Sequence, residues 1–220
     1  MSDAPLLYNS SSVFLWLDTN TSTIIDDFFP NVGLKRTLHN DVPVLGQTFQ
    51  ERYRNTMDIE TPTRRFDLEI VVDTSLRRFQ AFDFWVKRLR DSEFFWLPSF
   101  KNDFKVTSAS HDGFMITTVN TENTLSDYSD ALGVERHIAV WNDGNISSQP
   151  HFKHISSLNN TSIEYLDMFN ASGLPTTNAV IMELYYVKFL SDNFNVSTLS
   201  TTQMKMSFSF VEDQGSTPTS

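Results

Sequence analysis

Short apolar clusters separated by polar stretches open the chain: Val13 to Leu17, then Asp18-Thr-Asn-Thr-Ser-Thr, then Ile24 to Phe29. This reads as strand, loop, strand. Pro30 to Pro43 reads as loop. From Arg64 to Val72 the positions alternate, with Phe66, Leu68 and Ile70 on one face and Arg65, Asp67 and Glu69 on the other, the pattern of a half-buried strand. The period then changes. After Asp73-Thr74-Ser75, which supply N-cap chemistry, Leu76, Phe79, Phe82, Val86 and Leu89 recur at three- and four-residue spacing. One amphipathic helix over about 75–90 follows, with that stripe facing the core. Phe82, Phe84 and Trp85 exceed one stripe, which fits a wide core face, or, as the alternative, part of the other side meeting a neighbour.

Downstream, Glu93 to Phe100 is a dense apolar run that should end or bend at Pro98, because proline cannot donate to a ladder. Asp103 to Ala109 and Gly113 to Asn120 are predicted to form a hairpin across His111-Asp112-Gly113, where Asp-Gly supplies the positive φ of a tight turn. Thr121 to Ser129 is polar and loop-like. Arg136 to Trp141 reads as a strand closed by Asn142-Asp-Gly-Asn145. Phe152 to Ile155 and Ser162 to Leu166 are shorter strand candidates, and three antiparallel strands close the chain, the last with Met204, Met206, Phe208 and Phe210 on one face.

Roughly eight to twelve short strands around one helix give a mainly β class, an antiparallel β-sandwich or distorted barrel with a helix laid on it. We expect a single structural domain over 1–211, with a loop-rich insertion at about 121–172 and a flexible C-terminal tail over 212–220.

Composition removes several chemistries. The 220 residues contain no cysteine, which excludes disulfides, thiolate catalysis and Cys-based metal sites. The net charge of −10 argues against sequence-specific nucleic-acid binding driven by phosphate neutralisation. No apolar run is long enough to span a bilayer, and Met1-Ser-Asp-Ala-Pro lacks a secretory pattern, so no membrane insertion and synthesis in the cytosol are expected. The sequons at Asn9, Asn20, Asn145, Asn159, Asn160, Asn170 and Asn195 are then a by-product of Ser/Thr/Asn-rich loops. Charge is uneven: residues 1–110 carry 13 Lys/Arg and 15 Asp/Glu, residues 111–220 carry 4 and 12. Two faces of different sign suit head-to-tail contact with copies of the same chain or with an acidic neighbour, although solvated pairs of Arg with Asp67, Asp73, Asp83 and Asp91 account for the same pattern.

The search for catalytic, cofactor and metal residues returns none. His151-x-x-His154 has a suggestive spacing, but on an extended segment the two rings diverge. Asp67 and Glu69 share a strand face without a cleft to act across. No Gly-rich phosphate loop and no Gly-x-Ser-x-Gly elbow occurs. Trp16, Trp85, Trp96 and Trp141, with Tyr185 and Tyr186, raise a sugar-stacking alternative that requires Trp96 or Trp141 to be exposed in a groove.

The block from Arg64-Arg-Phe-Asp-Leu through Phe79-Gln-Ala-Phe-Asp-Phe-Trp-Val-Lys-Arg-Leu to Phe94-Phe-Trp-Leu-Pro-Ser-Phe-Lys-Asn-Asp103-Phe resembles the distal tail and tail-tip baseplate proteins of tailed bacteriophages. Val187-Lys-Phe-Leu-Ser-Asp192 and the strand after it are similar to the closing strands of such proteins. Together these cover roughly residues 60–120 and 180–211, under half the chain. The resemblance implies a non-enzymatic virion protein without cofactors, forming a ring, commonly hexameric, that joins the tail tube protein to hub or baseplate proteins. Alternatives are a tube terminator or adaptor, and a carbohydrate-binding host-recognition module. Under the ring reading, Phe84, Arg88, Leu97 and Pro98 are the expected subunit contacts.

Overall fold

The computed structural model describes residues 3–30, 35–39, 63–72, 75–90, 93–122, 136–190 and 195–212. Its strands are β1 (Ala4–Tyr8), β2 (Ser11–Asp18), β3 (Thr23–Ile25), β4 (Lys35–His39), β5 (Thr63–Val72), β6 (Phe95–Pro98), β7 (Val106–His111) and β8 (Ile116–Thr121). They continue as β9 (His137–Trp141), β10 (His151–Asn159), β11 (Ser162–Leu166), β12 (Val180–Phe189), β13 (Asn195–Thr198) and β14 (Met204–Glu212). One α-helix, α1 (Ser75–Arg90), is present among the described residues. The 14 strands form one sheet that is not a closed barrel, in the order β1-β2-β6-β12-β9-β10-β11-β8-β7. From β12 a branch runs through β14 to β5 and β4, with β13 on β14 and β3 on β2. Pairing is antiparallel except where β2 meets β6 at Val13 and Trp96.

Why the central strands read as unbroken apolar runs is now plain: both of their faces are covered. On β2, Phe14 and Trp16 point into one core while Val13 and Leu15 point into another; on β6, Phe95 and Leu97 part from Trp96 in the same way. The first core, under α1, is aromatic and includes Phe66, Leu68 and Ile70 of β5 and Phe208 and Phe210 of β14. The second is closed by Leu6 and Ile24 from β1 and β3. A third fills the far end, with Val119, Ile138, Val140, Ile163 and Ile181.

Several expectations shift. The Pro30 to Pro43 stretch contains β4, a strand without alternation whose backbone completes the edge of β5. Residues 137–166, within the segment expected as an insertion, supply β9 to β11, and β9 lies between β12 and β10 near the middle of the sheet. Residues 123–135 lie outside the described residues, as do 213–220 of the expected tail. Glu212 belongs instead to β14, where it is buried against Arg64. Pro98 ends β6, as its missing donor requires. The Asp112-Gly113 turn has its predicted positive φ at Gly113, +88°. Gly144 at +79° fills the equivalent need after β9, where a Cβ would run into the Asn178 carbonyl. β1 and β2 turn on Asn9 and Ser10, both at positive φ as a two-residue hairpin demands.

The helix holds its limits but not its expected rotation. Leu76, Phe79 and Phe82 are exposed, at 54%, 65% and 44%, whereas Ala81 and Phe84 are buried and Trp85 and Leu89 pack half-buried on the aromatic core. The reason is tertiary: Phe84 sits edge-on to Phe14, Trp16 and Phe95, with centroids 5.4, 5.2 and 5.0 Å away, in a pocket that only a large ring fills.

Candidate functional site

Turning the helix this way opens a groove of about 540 Å³ between α1 and the start of β1. Trp16 lies at its floor, stacked on Phe28 at 4.1 Å; Leu76 and Phe79 form one wall and Asp3, Ala4 and Pro5 the other. The two walls are latched together. Arg77 places Nη1 2.5 Å from Asp3 Oδ2 and 2.9 Å from Gln80 Oε1, and Gln80 Nε2 donates to Asp3 at 3.1 Å. Burial alone would raise the Asp3 pKa, but the hydrogen bonds from Gln80 and Arg77, the Arg77 charge and a backbone bond from Thr19 outweigh it and hold the carboxyl below its usual range. At the lower end Arg88 donates to Ser12 Oγ at 2.6 Å, pairs with Glu93 and lies over the Phe84 ring. The result is a fixed apolar groove with a charged rim.

A second apolar surface lies at the other end of the strand order. The β7–β8 turn, the last residue of β11 and the loop after it present Phe114, Met115, Leu166, Met168 and Phe169, all exposed, Phe169 at 78%. They are held rigidly. Asp112 Oδ1 accepts backbone N–H bonds from Phe114, Met115 and Ile116 at 2.8, 2.8 and 3.1 Å, which keep its carboxyl below the usual range. Across the loops, Asp167 N donates to Met115 O and Phe169 N to Phe114 O, while His111 Nε2 contacts Asp167 O at 2.8 Å. Asp167 itself is buried and takes Lys153 Nζ at 3.0 Å and the Ser172 hydroxyl at 3.2 Å. Phe169 has φ +56°, a left-handed conformation unfavourable for a bulky side chain.

Of the sequence-predicted contact residues, Phe84 and Arg88 line the groove, whereas Leu97 and Pro98 do not. Phe84 and Leu97 are 5% and 0% exposed in the aromatic core, and Pro98 is buried beside Leu184, its partner on β12. Arg88 is half-buried on the groove rim. Phe84, Leu97 and Pro98 are thus built into the chain's own interior, and Arg88 reaches the surface. Trp96 and Trp141 are likewise buried, their indole N–H groups donating to Tyr8 O and Ser148 O at 3.1 and 2.8 Å, so neither offers a face to a sugar. Asp67 and Glu69 sit on the exposed face of β5, taking Ser209 Oγ and Lys205 Nζ at 2.7 Å each.

His151 and His154 diverge on β10, as extended geometry dictates; His151 is exposed, whereas His154 turns toward His137, ring centroids 4.9 Å apart. His137 is buried beneath Tyr8, whose hydroxyl lies 2.8 Å from Nδ1, and against Trp96. Among the described residues no group of three or more His, Asp or Glu side chains is arranged to hold a metal ion. A half-buried carboxylate pair, Asp103 and Glu183, does occur. Burial and then the Glu183 charge raise the Asp103 pKa, yet its oxygens are used by Ser99, Lys101 and the Glu183 N–H, and Tyr185 donates to Glu183 at 2.7 Å, so the pair fastens the 99–103 loop along β12.

Burial, then the nearby His154, lowers the His137 pKa from 6.5 to about 4. A depressed base means the unfolded chain binds more protons between these values. Its contribution to stability is present above about pH 6.5 and is lost as pH falls toward 4, roughly 3 kcal/mol over the window. Urea unfolding at pH 7.5, 6 and 4.5 should therefore show a steeper acid loss for the wild type than for His137→Gln; equal slopes would refute this assignment.

No family model and no curated protein matches the chain. No helix among the described residues is long and apolar enough to cross a membrane. The two surfaces, groove and tip, were not foreseen as such. Of the surplus aromatics Phe84 and Trp85 widen the core face and Phe82 is exposed, β1 has no alternation to reveal the groove's second wall, and the other surface gathers residues about fifty positions apart.

Proposed function

We propose that this chain is a non-enzymatic structural protein of a bacteriophage virion, acting as a distal tail protein whose ring joins the tail tube to the tail-tip hub or baseplate. The observation that carries the assembly role is the exposed row Leu76, Phe79 and Phe82 on a helix whose other face is fully used by the core. Such a row beside a groove is a surface that a partner covers. The tail assignment rests on the resemblance of the strand, helix and aromatic strand around residues 60–120, and the phage-tail partners follow from it. Buried Trp96 and Trp141 weigh against the sugar-binding alternative. The experiment is native mass spectrometry with negative-stain imaging of the purified full chain at low and physiological salt. A closed ring with a central hole is expected, weakening with salt as charged contacts are screened. A chain that stays monomeric at high concentration in both salts overturns the ring role, leaving a templated adaptor or terminator.

A further inference from the structure

We infer that, whatever its assembly, the chain carries an acid-released lid: protonation of the paired histidines His137 and His154 lifts Tyr8 and the end of β1 off the sheet, while the start of β1 stays fastened. The two histidines are directly opposed on β9 and β10, with ring centroids 4.9 Å apart. Tyr8 closes over His137, its hydroxyl 2.8 Å from Nδ1 and its ring 5.2 Å from Phe152 and 5.3 Å from Trp96. Trp96 backs the histidine from β6 at 4.5 Å, and His137 is left 1% exposed. From β12 its register partner is Leu184, and Tyr186 lies beyond Trp96 at 4.8 Å. Arg136, Glu183, His151 and Lys153 alternate to the opposite faces of their strands. There Arg136 pairs with Glu183 at 3.5 Å and Lys153 with Asp167 at 3.0 Å.

Two charged imidazoles this close repel each other and need water, and Tyr8 is the movable part of the cover. Trp96 and Leu184 sit on strands in the middle of the sheet, whereas β1 ends the strand order and pairs with β2. The two ends of β1 are held differently. At Asp3, Arg77 and Gln80 bind a carboxyl kept below its usual range, so this end stays charged and latched in mild acid. At Tyr8 the chain enters the turn through Asn9 and Ser10, and the β1–β2 register slips between Pro5 and Leu7, where the strand can bend. Lifting Tyr8 gives up the bond from Trp96 Nε1 to its carbonyl, 3.1 Å, and lets water reach the imidazoles. With the lid closed, burial and then His154 hold the His137 pKa at about 4; with it open the value returns toward 6.5. The open form therefore binds the proton more tightly, and it gains on the closed form as pH falls from 6.5 toward 4.

The test is hydrogen exchange of the full-length protein at pH 7.5 and pH 5, with and without low urea, read on the amides of Leu6 to Ser12 and, for comparison, on those of Phe66 to Val72 in β5. After correction for the pH dependence of intrinsic exchange, protection from Leu6 to Ser12 should fall about 30-fold at pH 5, the gain in open form that pKa values of about 4 closed and 6.5 open produce. That exchange should be insensitive to low urea, because a local opening exposes little surface, whereas exchange in β5 follows global unfolding and rises steeply with urea. His137→Gln should abolish the acid response. His154→Gln, at a half-buried position that keeps the test available should the first variant not fold, should reduce it. Unchanged protection in acid, a urea dependence as steep as that of β5, or an acid response retained in full by either folded variant overturns the lid.

Discussion

Arg64→Met should destabilise the fold by about 3–5 kcal/mol, because it removes the cation against which the Glu212 carboxylate is buried. The two side chains meet at 2.8 Å with 5% and 4% of their surfaces exposed, and Arg64 also lies over the Tyr185 ring. Breaking such a pair on one side is far costlier than removing it whole. The double replacement Arg64→Met/Glu212→Leu is therefore expected to recover most of the loss, as matched apolar groups need no partner. Urea midpoints for the wild type, the two single variants and the double variant measure this directly. Additive losses in the double variant would show that the pair is not the source of the effect.

A comparable loss, about 3–5 kcal/mol, is expected for Phe14→Ala. Its ring lies 4.8 Å from Trp16 and 5.4 Å from Phe84, and within 6.5 Å of Phe28, Phe95, Phe100, Phe208 and Phe210, so the cavity left behind is walled by rigid aromatics that collapse poorly. Phe84→Ala removes a neighbour from the same cluster and, being in contact, should couple to Phe14→Ala non-additively. A Phe14→Ala loss below about 1 kcal/mol would mean that α1 re-seats to close the space.

What the sequence disclosed was whatever local chemistry decides. The alternation of β5, the limits of α1, the Asp112-Gly113 turn and the end of β6 at Pro98 each depend on residues within a few positions. The rotation of α1 does not. Its sequence offers two apolar stripes, Leu76-Phe79-Phe82-Val86 and Ala81-Phe84-Trp85-Leu89, and the choice is made by rings on β2 and β6 that reward Phe84. Phe84 and Leu97 turn inward for the same reason, since each is as apolar in sequence as Phe79 but packs into the aromatic core, Phe84 from α1 and Leu97 from β6. β4 was hidden because an edge strand needs only backbone partners, which any side-chain pattern permits.

The branch that carries β5 has a kinetic side. β5 is held in the sheet by β4 and by β14, and Asp67 is bonded to Ser209 across 142 positions of chain. A ribosome must therefore reach β14 before Phe66, Leu68 and Ile70 gain the strand that covers their edge. Until then β5 offers unpaired backbone and an apolar face to any other nascent chain, and loop-closure entropy slows the pairing that would hide it. Slow synthesis at reduced temperature, or a chaperone that holds β5 until β14 emerges, should raise the yield of native protein more than any change at the assembled surface.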